Sequence, residues 1–258
     1  EFQSDSERRN LPMSHYILIH GAWHNGSAFN ALKTVLEDRG HTVTAPTLPG
    51  HKPNDPDRIS ITFHDYLNAV KKVVETSASP ANKAILVGHS SAGFLLQSIA
   101  ADVEDFLEEL VFINAWLLPN GTSQADAIQA ADPQAWTNFK NAATQASDNC
   151  IPVIESFVRG MLMGGDTAAQ QDDLLNILVP QPLALMEHPI DCDGFAELEV
   201  PKTLIHCKVD TSLPQGAYIG MANQNLGSYD LIHIDTGHEG IFTHPAMVAG
   251  ALEKAAVL

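Results

Sequence analysis

Positive charge is scarce in this sequence. Lys and Arg together number 14 against 31 Asp and Glu, a formal charge of −17 over 258 residues. Nucleic acids and anionic membranes bind through basic patches that meet their phosphates, so the balance disfavours both as partners. Cysteine is scarce too. Cys150, Cys192 and Cys207 are odd in number and far apart, with no CxxC spacing to suggest zinc or a redox pair. That usage reads as thiols in a reducing compartment and predicts a cytoplasmic protein. No apolar run approaches the about 20 residues of a membrane span, and there is no internal repeat or low-complexity tract. What is present is 45% hydrophobic residues, enough to bury a real core as one large domain or a domain with an insertion.

Residues 1–12 (EFQSDSERRNLP) are polar, aperiodic and lack the apolar segment of a signal peptide. Glu-Phe is what a common cloning site encodes, so a vector-derived leader is expected, with Met13 as the native start.

From His15 onward, short apolar runs alternate with longer amphipathic ones, the pattern of a parallel sheet flanked by helices. Strands are predicted at His15–His20, Thr42–Ala45, Lys83–Val87, Leu110–Asn114, Thr203–Cys207 and Tyr229–Ile234. Helices are predicted at Ser27–Arg39, Phe63–Glu75, Ser91–Asp102 and His244–Ala256, with Gly40 stopping the first. Between about Leu117 and Ile190 no credible strand occurs, only helical stretches carrying Trp136, Phe139, Phe157 and several methionines. The expected organisation is a sheet core over 13–116 and 191–258, interrupted by an all-helical lid over 117–190.

Chemistry concentrates at the strand ends. Ser90 lies in Gly88-His89-Ser90-Ser91-Ala92-Gly93, after one predicted strand and before a helix. Small residues there let strand and helix approach closely and hold a serine, strained and exposed, at the apex of the turn. A serine hydroxyl is a poor nucleophile until a base takes its proton. Asp210 follows a later strand and His238 follows the last, giving the chain order serine, acid, histidine of α/β-hydrolases. In that scheme His238 is general base and acid, and Asp210 holds and stabilises its imidazolium.

The oxyanion hole needs two amide donors: Ser91 N–H, the residue after the nucleophile, and Ala22 N–H from the loop after the first strand. His24 could orient that loop or simply pack. His233 falls within a strand and His244 beside Pro245, so both read as structural; His238-Glu239 with His244 is not HExxH spacing, and no metal or organic cofactor is expected. Gly21, Trp23, His24, Trp116, Trp136 and Phe157 are the candidate pocket residues.

These features together resemble the α/β-hydrolase superfamily, and within it the plant methylesterase/hydroxynitrile lyase group and its bacterial relatives. The resemblance rests on His20-Gly21-Ala22-Trp23-His24-Asn25-Gly26, on Gly40-His41, on Pro49-Gly50-His51 and on the elbow, where Ala92 replaces the first of two paired glycines. It runs from about His15 to the C-terminus and is weakest in the lid. It implies the α/β-hydrolase fold, a mostly parallel twisted sheet with helices on both faces, and a homodimer as the common assembly. Hydroxynitrile lyases carry threonine and lysine where this chain has Gly21 and Glu239. A carboxylate beside His238 would repel cyanide, so both departures favour ester hydrolysis. Asn114 removes the alternative acid position that some members use.

The expected activity is a serine esterase cleaving a small, largely apolar ester or lactone through an acyl-enzyme. A lyase or C–C hydrolase using the same triad is the nearest rival, and a small-molecule receptor on this scaffold is the rival from another class.

Overall fold

The computed structural model describes residues 13–146 and 149–257; the expected leader at 1–12 lies outside them. Six strands form one sheet: β1 (His15–Ile19), β2 (Thr42–Thr44), β3 (Ala84–His89), β4 (Leu107–Ile113), β7 (Lys202–Cys207) and β8 (Asp230–Ile234). Their spatial order is β2-β1-β3-β4-β7-β8, and every neighbouring pair is parallel. The chain steps outward from β1 to β2, then returns to lay β3 on the other side of β1. The loops after β1 and β3 thus leave adjacent strands in different directions and open a crevice between them, as open parallel sheets do where strand order reverses.

A parallel sheet is covered on both faces, so its strands read as continuous apolar runs. Period-two alternation then divides each run between two cores. Ile17, Ile19, Leu86 and Phe112 join the helices Phe63–Ser77 and Ala92–Val103 on one face. Tyr16, Leu18, Val87 and Val111 join Asn30–Asp38 and Pro245–Ala255 on the other. Local chemistry sets the helix limits. Thr62 and Asp65 make a reciprocal capping box at the start of Phe63–Ser77. Gly40, at φ +94°, supplies the left-handed residue after Asn30–Asp38.

The segment between β4 and β7 carries the helices Gln124–Ala131, Pro133–Gln145 and Ala168–Leu175. It is not all helical. β5 (Cys150–Ile151) and β6 (Gln181–Pro182) pair antiparallel within it. The ladder's side-chain and backbone groups hold the β1 loop, as described below, which a helix with internally paired carbonyls could not do through its main chain. Strand β4 also begins three residues before its expected start, because Leu107 and Leu110 both lie in the core on either side of an exposed Glu108 and a buried Glu109. A further helix at Ala217–Asn225, not foreseen from the sequence, packs beside β7.

Candidate active site

At the end of β3 the chain turns at Ser90 with φ +54°, a left-handed conformation that a non-glycine residue adopts only when its surroundings impose it. Hydrogen bonds on both sides do so: Ser90 N donates to Ile113 O at 3.2 Å, while Ser90 O accepts from Gly93 N and Trp116 N at 3.1 and 2.9 Å. The small residues are required by contact. A Cβ on Gly93 would lie 2.4 Å from Trp116 O, and one on Gly88 would lie 2.9 Å from Leu96.

β7 and β8 bring up the other two groups. His238 Nε2 is 3.1 Å from Ser90 Oγ, and His238 Nδ1 is 2.7 Å from Asp210 Oδ2. Burial alone would lower the His238 pKa, but the Asp210 charge and hydrogen bond outweigh it and raise the value above 6.5. Burial likewise acts to raise Asp210, and His238 with the Ser212 hydrogen bonds reverses this, leaving the carboxyl well below the usual range. All three sequence-predicted residues therefore meet in one hydrogen-bonded chain.

The carboxylate is held by more than the histidine. Asn114, at the end of β4, donates from Nδ2 to Asp210 Oδ2 at 2.5 Å and accepts from Cys207 N at 2.8 Å. Its φ of +34° suits an asparagine. Reading Asn114 only as a vacated acid position missed this tie between β4, β7 and Asp210. Ser212 N donates to Asp210 Oδ1 at 2.7 Å, an Asx-type turn foreshadowed by Asp210-Thr211-Ser212. Ser212 Oγ and Tyr218 OH lie 3.1 and 3.4 Å from His238 Nδ1, outside the shorter Asp210 contact. No local sequence signal marks Tyr218, which arrives on the unforeseen helix.

Ala22 and Ser91 both border the cavity above Ser90. The N–H of neither residue donates to another group among the described residues, so both are available as donors. The β1 loop carrying Ala22 is tightly fixed. Trp23 has φ +61°, a strained geometry for a bulky residue. Its N–H donates to Gln181 Oε1 at 2.9 Å, its carbonyl accepts from Val179 N at 2.8 Å, and its indole N–H reaches Ile151 O at 3.2 Å. The β5–β6 ladder and the strand approach to it thus clasp the loop from above.

From below, His24 clasps the same loop. Nδ1 lies 2.7 Å from Ala22 O and Nε2 lies 3.0 Å from Glu239 Oε2. Both ring nitrogens face oxygen acceptors, so the ring donates twice and is cationic. Burial opposes that charge, and the Glu239 carboxylate overcomes it to raise the His24 pKa. Burial would raise Glu239 as well, but His24 holds it at about 2. The sequence-based picture of Glu239 as an anion facing the pocket is corrected: it is fully buried, does not line the cavity, and is neutralised by His24. Of the two readings open for His24, the one that orients the β1 loop holds.

The remaining pocket candidates divide. Trp23, His24, Trp116 and Phe157 border the cavity, whose unfilled space is about 450 Å³ including its mouth. Gly21 and Trp136 do not. Gly21 lies beneath the nucleophile, where a Cβ would stand 2.7 Å from Ser90 Cβ. Trp136 is 5% exposed within the lid's own apolar cluster, because the buried face of Pro133–Gln145 turns inward. Gln124, Ile128 and Leu213 line the cavity without having been foreseen.

His89, His238 and Glu239 offer buried donor atoms within 4.8 Å of one another. They fit hydrogen bonding better than a metal, since His238 uses both nitrogens on Asp210 and Ser90 and His89 Nε2 is 3.0 Å from His238 O. Burial drives the His89 pKa down to about 3, so the ring is neutral and its Nε2–H holds the His238 main chain.

Comparison with known proteins agrees with this fold. The profile of the alpha/beta hydrolase family matches residues 16–251. The chain belongs to that family. Among curated proteins it is 24% identical over 247 residues to a pyrethroid hydrolase of Sphingobium wenxiniae, covering 94% of this chain and 87% of that one. It is 25% identical over 252 residues to methylesterase 2 of Arabidopsis thaliana, covering 92% and 94%. An extracellular alpha/beta-hydrolase from a Paenibacillus species, described as sharing structural and functional homology with tobacco salicylic acid-binding protein 2, superposes with a TM-score of 0.85. It is 25% identical, with coverage of 95% and 99%. These family members are named as esterases and hydrolases, which supports carboxylic ester hydrolysis as the broad activity.

Proposed function

We propose that the protein is a serine carboxylic-ester hydrolase that cleaves a small, largely apolar ester or lactone through an acyl-enzyme. The observation that carries this reading is the hydrogen-bonded chain Ser90–His238–Asp210 at the floor of a cavity walled by Trp116, Ile128, Phe139, Phe157 and Leu162. Ser90 Oγ attacks the ester carbonyl as His238 Nε2 takes its proton, and Asp210 stabilises the resulting imidazolium. The carbonyl oxygen, now anionic, accepts from Ala22 and Ser91 N–H. His238 then protonates the departing alkoxide, leaving Ser90 acylated. Water, deprotonated by the same imidazole, attacks the acyl carbonyl and releases the acid.

Gly21 and Glu239 give the lyase reading no support. Any side chain at 21 meets Ser90 Cβ, and the Glu239 charge is already matched by His24.

The test is turnover of p-nitrophenyl acetate by Ser90→Ala. A triad nucleophile acting in this way is worth about 10⁶ in rate. Loss of that order is expected, together with a burst of one p-nitrophenol per active site in the parent enzyme when deacylation is slow. Turnover by the variant within tenfold of the parent would overturn the mechanism.

A further inference from the structure

Among the described residues three glutamines are buried, and two of them are satisfied at both ends of the amide. Gln97 accepts from Leu118 N at 2.8 Å and donates to Leu118 O at 3.2 Å. Gln181 accepts from Trp23 N and donates to Pro182 O, both at 2.9 Å. Gln124 differs. It is 3% exposed and borders the cavity; its Oε1 accepts from Ser91 Oγ at 3.1 Å, while its Nε2 has no partner among the described residues. Its Nε2 is not among the buried atoms left without a partner, so it opens into the cavity, and an occupant that covers it without accepting a hydrogen bond leaves it desolvated and unpaired, which is costly.

Its placement is rigid and close to the chemistry. Ser123 caps the helix Gln124–Ala131, with a reciprocal bond to Asp126, and fixes Gln124 as the first residue of the helix. The Ser91 hydroxyl pins the amide oxygen, which leaves the Nε2 hydrogens as the free end. Ser91 is also the residue whose N–H serves the oxyanion, so the free donor stands one side chain away from the scissile carbonyl.

We infer that Gln124 is a specificity-determining residue that donates a hydrogen bond to a second oxygen of the substrate. This inference rests on the esterase reading and sharpens it. The substrate class becomes an ester or lactone bearing an ether, keto or further ester oxygen a few bonds from the carbonyl that Ser90 attacks. A purely hydrocarbon ester leaves the donor buried and unpaired, and sites built to bond a polar group discriminate against the analogue that lacks it.

The experiment compares isosteric substrate pairs differing by one CH₂ against one oxygen. p-Nitrophenyl pentanoate against p-nitrophenyl 3-methoxypropanoate probes the acyl side, and butyl butanoate against 2-methoxyethyl butanoate probes the alcohol side. Intrinsic reactivity cancels when each oxygen-to-carbon ratio of kcat/KM is compared between parent and variant. Gln124→Leu and Gln124→Met, the second keeping the side-chain length, are expected to lower this ratio by about three- to tenfold for one pair, the effect of one neutral hydrogen bond. The pair that responds identifies the side of the ester that carries the acceptor.

Ratios within twofold of the parent for both pairs, in variants with parent-like near-ultraviolet circular dichroism, would overturn the inference. An equal fall on both members of each pair would also overturn it, by making Gln124 a support for Ser91 alone. Failure of the underlying reading is distinguishable. In that case the parent turnover itself survives Ser90→Ala, whereas Ser90-dependent turnover with unchanged ratios removes only the role of Gln124.

Discussion

Replacing Glu239 tests whether the buried pair beneath the β1 loop is ionic and whether it matters for catalysis. The His24 and Glu239 side chains are 2% and 0% exposed and lie 3.0 Å apart. Breaking a buried pair by deleting one charge costs about 3–5 kcal/mol when the other charge is stranded. In Glu239→Gln it need not be stranded. His24 can shed a proton, keep Nδ1–H on Ala22 O, and accept from the new carboxamide at Nε2. The expected cost therefore falls to about 1–2 kcal/mol, near that of a charge-assisted hydrogen bond exchanged for a neutral one. Glu239→Leu offers Nε2 no partner and should cost about 1–3 kcal/mol more.

The pH dependence separates an ionic pair from mere packing. His24 has its pKa raised above 6.5, so its contribution is complete below pH 6.5 and fades as pH climbs through the raised value. Glu239 has its pKa lowered from 4.5 to about 2, so its contribution is complete above pH 4.5 and fades as pH falls toward 2. Between pH 4.5 and 6.5 the pair is at full strength. Urea midpoints measured at pH 5.5 and pH 9 should show the larger penalty for Glu239→Gln at pH 5.5. In steady-state assays of Glu239→Leu kcat should fall more than KM rises, because His24 loses the support that aims Nδ1 at Ala22 O while the apolar wall is untouched. A penalty independent of pH, or Glu239→Leu as stable as the parent, would refute an ionic pair.

Two further outcomes follow from the same geometry. His238 must be neutral to take the Ser90 proton, and its pKa is raised above 6.5 by Asp210 against the pull of burial; the acid limb of the kcat/KM profile should therefore have its midpoint above pH 6.5, and a midpoint well below that would contradict the Asp210 pairing. Gly21→Ala places a Cβ 2.7 Å from Ser90 Cβ and 3.0 Å from His89 O. Because shifts near 1 Å in a reacting group cost about 100-fold, kcat should drop by that order in a protein that still unfolds cooperatively, and unchanged kcat would show that the elbow yields more readily than its hydrogen bonds imply.

Much of the hydrogen-bonded chain Ser90–His238–Asp210 is legible in the sequence because each member sits at a strand end marked by local pattern. Apolar runs located β3, β7 and β8, and the short turns after them carried Ser90, Asp210 and His238 with little room for other choices. The supporting residues were less legible because their roles depend on pairing between distant segments. Asn114 reads only as a vacated acid position at a strand end until β4 is known to lie between β3 and β7. Glu239 reads as a pocket charge until His24, 215 residues away, is found against it. Lid residues were hardest. Trp136 and Phe157 share composition and spacing with many buried aromatics, and only the packing of the helices tells that Phe157 borders the cavity while Trp136 fills the lid.

Trp23 brings these contacts to one point. A bulky residue at φ +61° stores strain of the order of 1–3 kcal/mol, and the loop cannot keep that shape by itself. Its amide and carbonyl are held from the lid by Gln181 and Val179, while His24 and Glu239 hold the adjacent Ala22 carbonyl from the His238 side. The Ala22–Trp23 peptide, directly after the Ala22 N–H proposed as an oxyanion donor, is therefore fixed jointly by the lid and by the loop that bears His238. Under the proposed mechanism, a change in the lid that slackens Gln181 would act on the transition state through Ala22 without touching Ser90, His238 or Asp210. In the proposed mechanism the lid is thus more than a wall of the cavity: through Gln181, Val179 and Ile151 it holds the backbone beside the proposed oxyanion donor.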